Sequence, residues 1–103
     1  MENPLIQLVA AQKQGHAVGV FSICSANRFV LEAAMLSARS DPAVLLIEAT
    51  SNQVNQSGGY TGMTPQNFAD FVEAIAHRMK FPYARVMLGG DHMGPNPWQH
   101  ERA

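Results

Sequence analysis

Apolar residues recur along this chain at two different spacings, and each spacing predicts a different element. Phe68, Phe71, Val72, Ile75, Ala76 and Met79 fall at i, i+3, i+4, i+7, i+8 and i+11, one stripe of a helix. Thr64 followed by Pro65 gives that helix its start, because the hydroxyl can accept an orphan amide and proline at the first helical position wastes no donor. Pro82 supplies the stop. A second helix opens at Asn27, with Val30, Leu31, Ala34, Met35 and Ala38 on one side, and Ser40-Asp41-Pro42 breaks it. A third stands at the N-terminus: Asn3 is the cap, Pro4 the first residue, Leu5, Ile6, Leu8 and Val9 the apolar side, and Gly15 the stop.

Between these helices lie short, continuous apolar runs. Val18 to Ile23 reads as a buried strand, Val44 to Ile47 as a second and Arg85 to Leu88 as a third. Apolar residues at consecutive positions mean that both faces of a strand are covered, the habit of parallel sheets. The predicted order is helix, then β-α-β-α-β, which implies an α/β fold with right-handed parallel crossovers. Element order by itself does not separate an open doubly wound sheet from a closed barrel. A closed (β/α)8 barrel needs about 250 residues. If the sheet closes in that way, residues 1–103 would be the N-terminal portion of a single barrel domain; MGPNPWQHERA reads as a loop entering a further helix.

In parallel α/β folds the loops leaving the C-terminal ends of the strands build the active site. Here those loops are Cys24 to Asn27, Glu48 to Met63 and Gly89 to Trp98, and the polar residues concentrate in them. The third carries Gly89-Gly90-Asp91-His92. A neutral imidazole is a good zinc ligand and an adjacent aspartate can move protons, although a catalytic zinc takes about three protein ligands. The plainer reading has Asp91 capping a turn and His92 as an ordinary polar residue.

In the second loop Ser51, Asn52, Gln53, Asn55, Gln56 and Ser57 offer amides and hydroxyls to a sugar or phosphate. Gly58 and Gly59 could present backbone amides to an anion, as a nest does. Glu48 is either a buried acid or a loop anchor. The alternative is a solvated loop stitched by its own Asx and Ser turns. Cys24 has no identifiable base, so a structural role as a small buried residue is expected. His16, His77 and His100 read as surface residues, and the methionines show no ligand spacing.

Charge and composition remove several classes of function. Seven basic against eight acidic side chains, a net charge of -1, leave no basic field for nucleic acid. No apolar run approaches a membrane span. Residues 1–15 lack a basic stretch and a cleavage site, so no signal peptide is expected. With a single cysteine, the chain reads as a cytoplasmic protein.

Three segments, GVFSICSAN, VLLIEATSNQVNQSGGYTGMTP and RVMLGGDHMGPNPWQ, closely resemble in order the N-terminal part of the Z-type subunit family of bacterial D-tagatose-1,6-bisphosphate aldolase. The resemblance implies an aldolase-type TIM barrel and a place in galactitol and N-acetylgalactosamine catabolism. There, tagatose 1,6-bisphosphate is split into dihydroxyacetone phosphate and glyceraldehyde 3-phosphate. It further implies an accessory, stabilising role beside a catalytic Y-type subunit. Class II aldolases, similar more widely, place an Asp-His pair on this strand end. By that likeness Asp91 is the catalytic proton donor and His92 a Zn2+ ligand; the substrate would be a phosphorylated ketose, and Glu48, Ser51, Asn52, Gln53, Gly58 and Gly59, read from the loop itself, are the residues expected to contact it. The remaining zinc histidines of that pattern would lie on later strands, so the metal site is incomplete in this chain. The alternatives are a competent lyase using Asp91 and His92, and a fragment without function or with only an interaction surface.

Overall fold

The computed structural model of the chain describes residues 3–41, 43–94 and 100. Helix α1 (Pro4–Lys13) is followed by β1 (Ser22–Cys24), α2 (Arg28–Ala38), β2 (Leu45–Thr50), α3 (Pro65–Arg78), a 3-10 turn (Tyr83–Arg85) and β3 (Val86–Asp91). The strands form one parallel sheet in the order β1-β2-β3. This is the expected α/β order with its parallel crossovers. Pro42 of the expected break and most of the expected segment after Gly94 lie outside the described residues.

The helix ends show why these boundaries hold. Asn3 Oδ1 accepts the Leu5 amide, Asn27 Oδ1 accepts those of Phe29 and Val30, and Thr64 and Asn67 form a reciprocal capping box. Helix α1 closes with His16 N–H on Ala11 O and Gly15 N–H on Gln12 O, around a left-handed Gly15 at φ 91°. Helix α3 closes in the same way, Phe81 N–H on Ala76 O and Lys80 N–H on His77 O, but the left-handed residue is Lys80 at φ 53°. The helix therefore stops before Pro82.

Both crossovers advance in the same direction, so α2 and α3 share one face of the sheet and pack on each other. Leu45, Ile47 and Ala49 of β2 meet Leu31, Met35, Phe68, Val72, Ile75 and Ala76 there. Two polar clamps hold this layer. Glu32 Oε1 on α2 accepts from Arg28 Nε and from Arg78 Nη2 of α3, each at 2.9 Å. The Arg85 guanidinium donates to the carbonyls of Ala38 (2.9 Å), Asp41 and Ala43 (2.7 Å), closing the α2–β2 turn, and lies 4.8 Å over the Phe81 ring.

Two expectations need correction. The first strand is not a buried run from Val18; β1 holds only three residues, and Phe21 is 76% exposed. Its ladder opposes Ser22 to Leu46, so Val20 would face Val44, which precedes β2. Where the partner strand has not begun, the backbone has nothing to bond to. The second and third strands run further than expected, to Thr50 and Asp91, so Glu48 and both glycines lie within the sheet. Helix α1 fully buries none of its residues; of its apolar side Leu5 and Leu8 are half-buried, and Ile6 and Val9 are exposed.

Ile47, fully buried in the middle of the core, tests the packing: Ile47→Ala should cost about 2–5 kcal/mol in urea denaturation, against under about 0.5 kcal/mol for exposed Ile6→Ala. Glu32 gives a pH test. Hydrogen bonding to Arg28, opposed by some desolvation and helped by Arg78, holds its carboxyl below the ordinary 4.5. A depressed folded-state value stabilises above the ordinary range and is lost as pH falls through the folded value. Glu32→Gln should therefore lower the thermal midpoint near neutrality, and the difference should shrink away below about pH 4.

Candidate functional site

Alternation along each strand decides what the two faces carry. With Leu45, Ile47 and Ala49 turned to the helices, Leu46, Glu48 and Thr50 point to the other face. The register sets Cys24 beside Glu48, Glu48 beside Gly89, and Thr50 beside Asp91. Cys24, Glu48 and Asp91 therefore converge at the C-terminal ends of three adjacent strands, their ligand atoms all within 4.8 Å of one another. Cys24 Sγ lies 3.9 Å from Glu48 Oε2 and 3.2 Å from Ser22 Oγ. Gly89 makes the room: a Cβ there would sit 3.2 Å from Glu48 Cγ.

The expected catalytic residue Asp91 is thus in the cluster. His92, the expected metal ligand, is next to it. Its backbone is left-handed at φ 52°, its amide donates to Asp91 Oδ1 at 2.9 Å, and its side chain is 79% exposed with Nε2 3.6 Å from Asp91 Oδ2. Ser51 is buried and donates to the His92 carbonyl at 2.7 Å, tying the end of β2 to the end of β3.

The remaining residues expected to meet substrate lie in the loop after β2. It is stitched largely by its own groups. Asn55 Nδ2 donates to Ser51 O (2.8 Å), while its Oδ1 accepts the amides of Ser57 (2.8 Å) and Gly59 (3.1 Å). Gly58 N–H donates to Asn55 O at 2.9 Å, so both glycine amides are engaged within the loop. Gln53 Oε1 accepts the Thr50 amide, and its carbonyl accepts from Thr61. The exposed Asn52 takes the Tyr60 amide on its carbonyl. Gly59, at φ 58°, is held so close that a Cβ would come within 2.5 Å of Gln53 O.

Cys24 corrects the sequence reading: it is exposed and part of the cluster, not a buried packing residue. Its signal was positional. It follows the apolar run of β1 by one residue, as Glu48 follows that of β2. A thiol and two carboxylates at this spacing offer S and O donors to a metal ion, with the His92 imidazole beside them.

Known proteins resemble this chain in sequence and fold. The model of the family described as D-tagatose-1,6-bisphosphate aldolase subunit GatZ/KbaZ-like matches residues 5–103. The chain is 55% identical over 96 residues to the D-tagatose-1,6-bisphosphate aldolase subunit GatZ of Escherichia coli (strain SMS-3-5 / SECEC), covering 93% of this chain and 23% of that one. The GatZ subunit of Escherichia coli O139:H28 (strain E24377A / ETEC) is 54% identical over the same share. A crystal structure described as a probable tagatose 6 phosphate kinase from Sinorhizobium meliloti 1021 shares 62% identity. It superposes with a TM-score of 0.78 over 84% of this chain and 22% of that one. The chain spans about a quarter of the length of the curated relatives it matches.

The loop geometry is testable by contrast. Gly59→Ala adds both a left-handed backbone and a collision with Gln53 O, whereas a Cβ on Gly62, at φ 80°, meets nothing within 4 Å. Urea denaturation should show Gly59→Ala the more costly, at about 1–3 kcal/mol, and Gly62→Ala at about 1 kcal/mol.

Proposed function

The chain belongs to the D-tagatose-1,6-bisphosphate aldolase subunit GatZ/KbaZ-like family, and we propose that it forms the first three strands of an aldolase-type barrel in an accessory subunit. That subunit supports a catalytic Y-type partner acting on tagatose 1,6-bisphosphate, in the cytoplasmic breakdown of galactitol and N-acetylgalactosamine. The observation that carries this reading is the family match across residues 5–103. The sequential parallel order of the strands agrees with a barrel wall, in which neighbours in sequence are neighbours in the sheet.

Zinc is the ion that this reading implies; Cys24 and Glu48 would offer it a thiol and a carboxylate, and the His92 imidazole lies beside Asp91, outside the three-residue cluster. In this reading His92 would hold the ion alongside the cluster, with further ligands from outside the described residues. When bound, it would supply Lewis-acid stabilisation of charge developing on a substrate oxygen. In the lyase alternative Asp91 would hold or move a proton at the substrate hydroxyl, its Oδ1 accepting the His92 amide. By the same reading Glu48, Ser51, Asn52, Gln53, Gly58 and Gly59 would form the substrate side of the rim.

The convergence of Asp91 with Glu48 favours a second reading, a lyase in its own right. One experiment separates them. Purified Y-type subunit is assayed for tagatose 1,6-bisphosphate cleavage with and without this chain, and each component is assayed alone with zinc. The accessory reading expects no turnover by this chain, co-purification with the partner, higher activity of the mixture, and no effect of Asp91→Asn on that gain. Turnover by the chain alone, reduced about a hundredfold or more in Asp91→Asn, would establish the lyase. Failure to bind the partner would leave only the fragment reading.

A further inference from the structure

Asp91 and His92 are consecutive, so in a regular strand their side chains would leave on opposite faces. Here both oxygens of the Asp91 carboxylate meet His92. Oδ1 accepts the His92 amide at 2.9 Å, and Oδ2 lies 3.6 Å from the imidazole Nε2. The left-handed backbone of His92, at φ 52°, folds the histidine back onto its neighbour. Among the described residues two non-glycine positions are left-handed, Lys80 and His92. Lys80 closes α3, whereas His92 closes no helix. Such a conformation persists in a residue with a side chain when its surroundings fix it.

What fixes it comes from the neighbouring strand. Ser51 Oγ donates to the His92 carbonyl at 2.7 Å. The register sets Thr50 level with Asp91, so Ser51 and His92 are the first residues beyond the paired ends of β2 and β3. The hydroxyl carries the link between the strands one step past the ladder, where β3 turns left-handed.

Ser51 is built for this contact and poorly placed for any other. It continues the buried alternation of Leu45, Ile47 and Ala49, and is 5% exposed. It therefore reaches the rim from the helix side, behind the face that carries Glu48 and Asp91. A hydroxyl has one proton to donate, and here it is spent on His92. The turn around it is held as well: Thr50 O accepts the amides of Gln53 and Val54, and Ser51 O accepts Asn55 Nδ2 at 2.8 Å.

We propose that Ser51 is a positioning residue: through the His92 carbonyl it holds His92 left-handed, and so keeps the His92 amide and imidazole on the Asp91 carboxylate. Ser51 then has a different part from the substrate contact expected of it in the loop. What the Asp91–His92 pair does rests on the aldolase-subunit reading above; the geometry that Ser51 imposes on the pair does not.

The test is NMR of the isotope-labelled 103-residue chain, without partner, metal or substrate. The three-bond coupling between His92 Hα and the Asp91 carbonyl carbon is large at positive φ and small at negative φ. It should be large in the wild type and fall to the small value in Ser51→Ala, with the His92 amide proton moving upfield as it leaves Asp91 Oδ1. Ser51→Thr keeps a hydroxyl and should retain both signals. Glycine enters the left-handed region freely, so adding His92→Gly to Ser51→Ala should restore the downfield amide at position 92. A mere loss of packing at Ser51 would not be repaired there. If Ser51→Ala does not fold, Ser51→Cys, close in size and a weak donor, is read in its place. A small coupling in the wild type, an unchanged His92 in the Ala or Cys variant, a Thr variant that behaves like the Ala one, or a double variant without the restored amide would each overturn the proposal. Failure of the aldolase reading would change none of these outcomes.

Discussion

Strand β2 is hydrogen-bonded along both edges, and the rest of the structure depends on that double pairing. It sets Leu46 level with Ser22 and Met87, and Glu48 level with Cys24 and Gly89. Because all three strands run the same way, their C-terminal ends finish together and all three connecting loops leave from one rim. Strict alternation then divides the side chains: Leu45, Ile47 and Ala49 enter the core, while Glu48 and Thr50 face away from it. A slip of one residue would bury Glu48 against Met35 and Val72 and expose Ile47. The apolar pattern that makes the core therefore also places the acid, and fold and site share one cause.

How much of this was legible depended on whether the signal was local. Helix starts were readable because capping is a matter of adjacent residues: Asn3-Pro4, Asn27 and Thr64-Pro65 each act within one turn. Helix stops were half readable. Gly15 and Lys80 close their helices with the same pair of bonds, but only glycine advertises a left-handed residue. Strand limits were least readable, since a ladder ends where its partner ends. Val18 and Val20 have strong strand propensity, yet no strand among the described residues pairs with them. The same holds for the site. Asp91 stood out beside its histidine, whereas Cys24 became meaningful only once the register set it against Glu48.

The polar groups on the two faces are handled differently. On the helix side Glu32 is answered by two arginines, and Arg85 by three carbonyls and an aromatic face. On the opposite face Cys24, Glu48 and Asp91 crowd together without a basic side chain among their strand neighbours. Nothing about folding this three-stranded layer calls for that crowding. Thr or Val at any of the three positions would suit the ladder better.

Two carboxylates at this separation repel, and what moderates the repulsion here is water reaching a half-open face. Covering the face, as completing a barrel would, removes that screening. Neighbouring acids in a drier interior need a shared proton or a cation between them. The cluster is therefore tolerable in this open sheet and demanding in a closed one. That asymmetry ties the chemistry of the rim to assembly: whatever encloses these strands must also neutralise them. A metal ligated from the added strands or a basic group brought by a partner would meet the requirement equally well. The His92 imidazole, already 3.6 Å from Asp91 and still largely in solvent, is the group within this chain best placed to contribute to either.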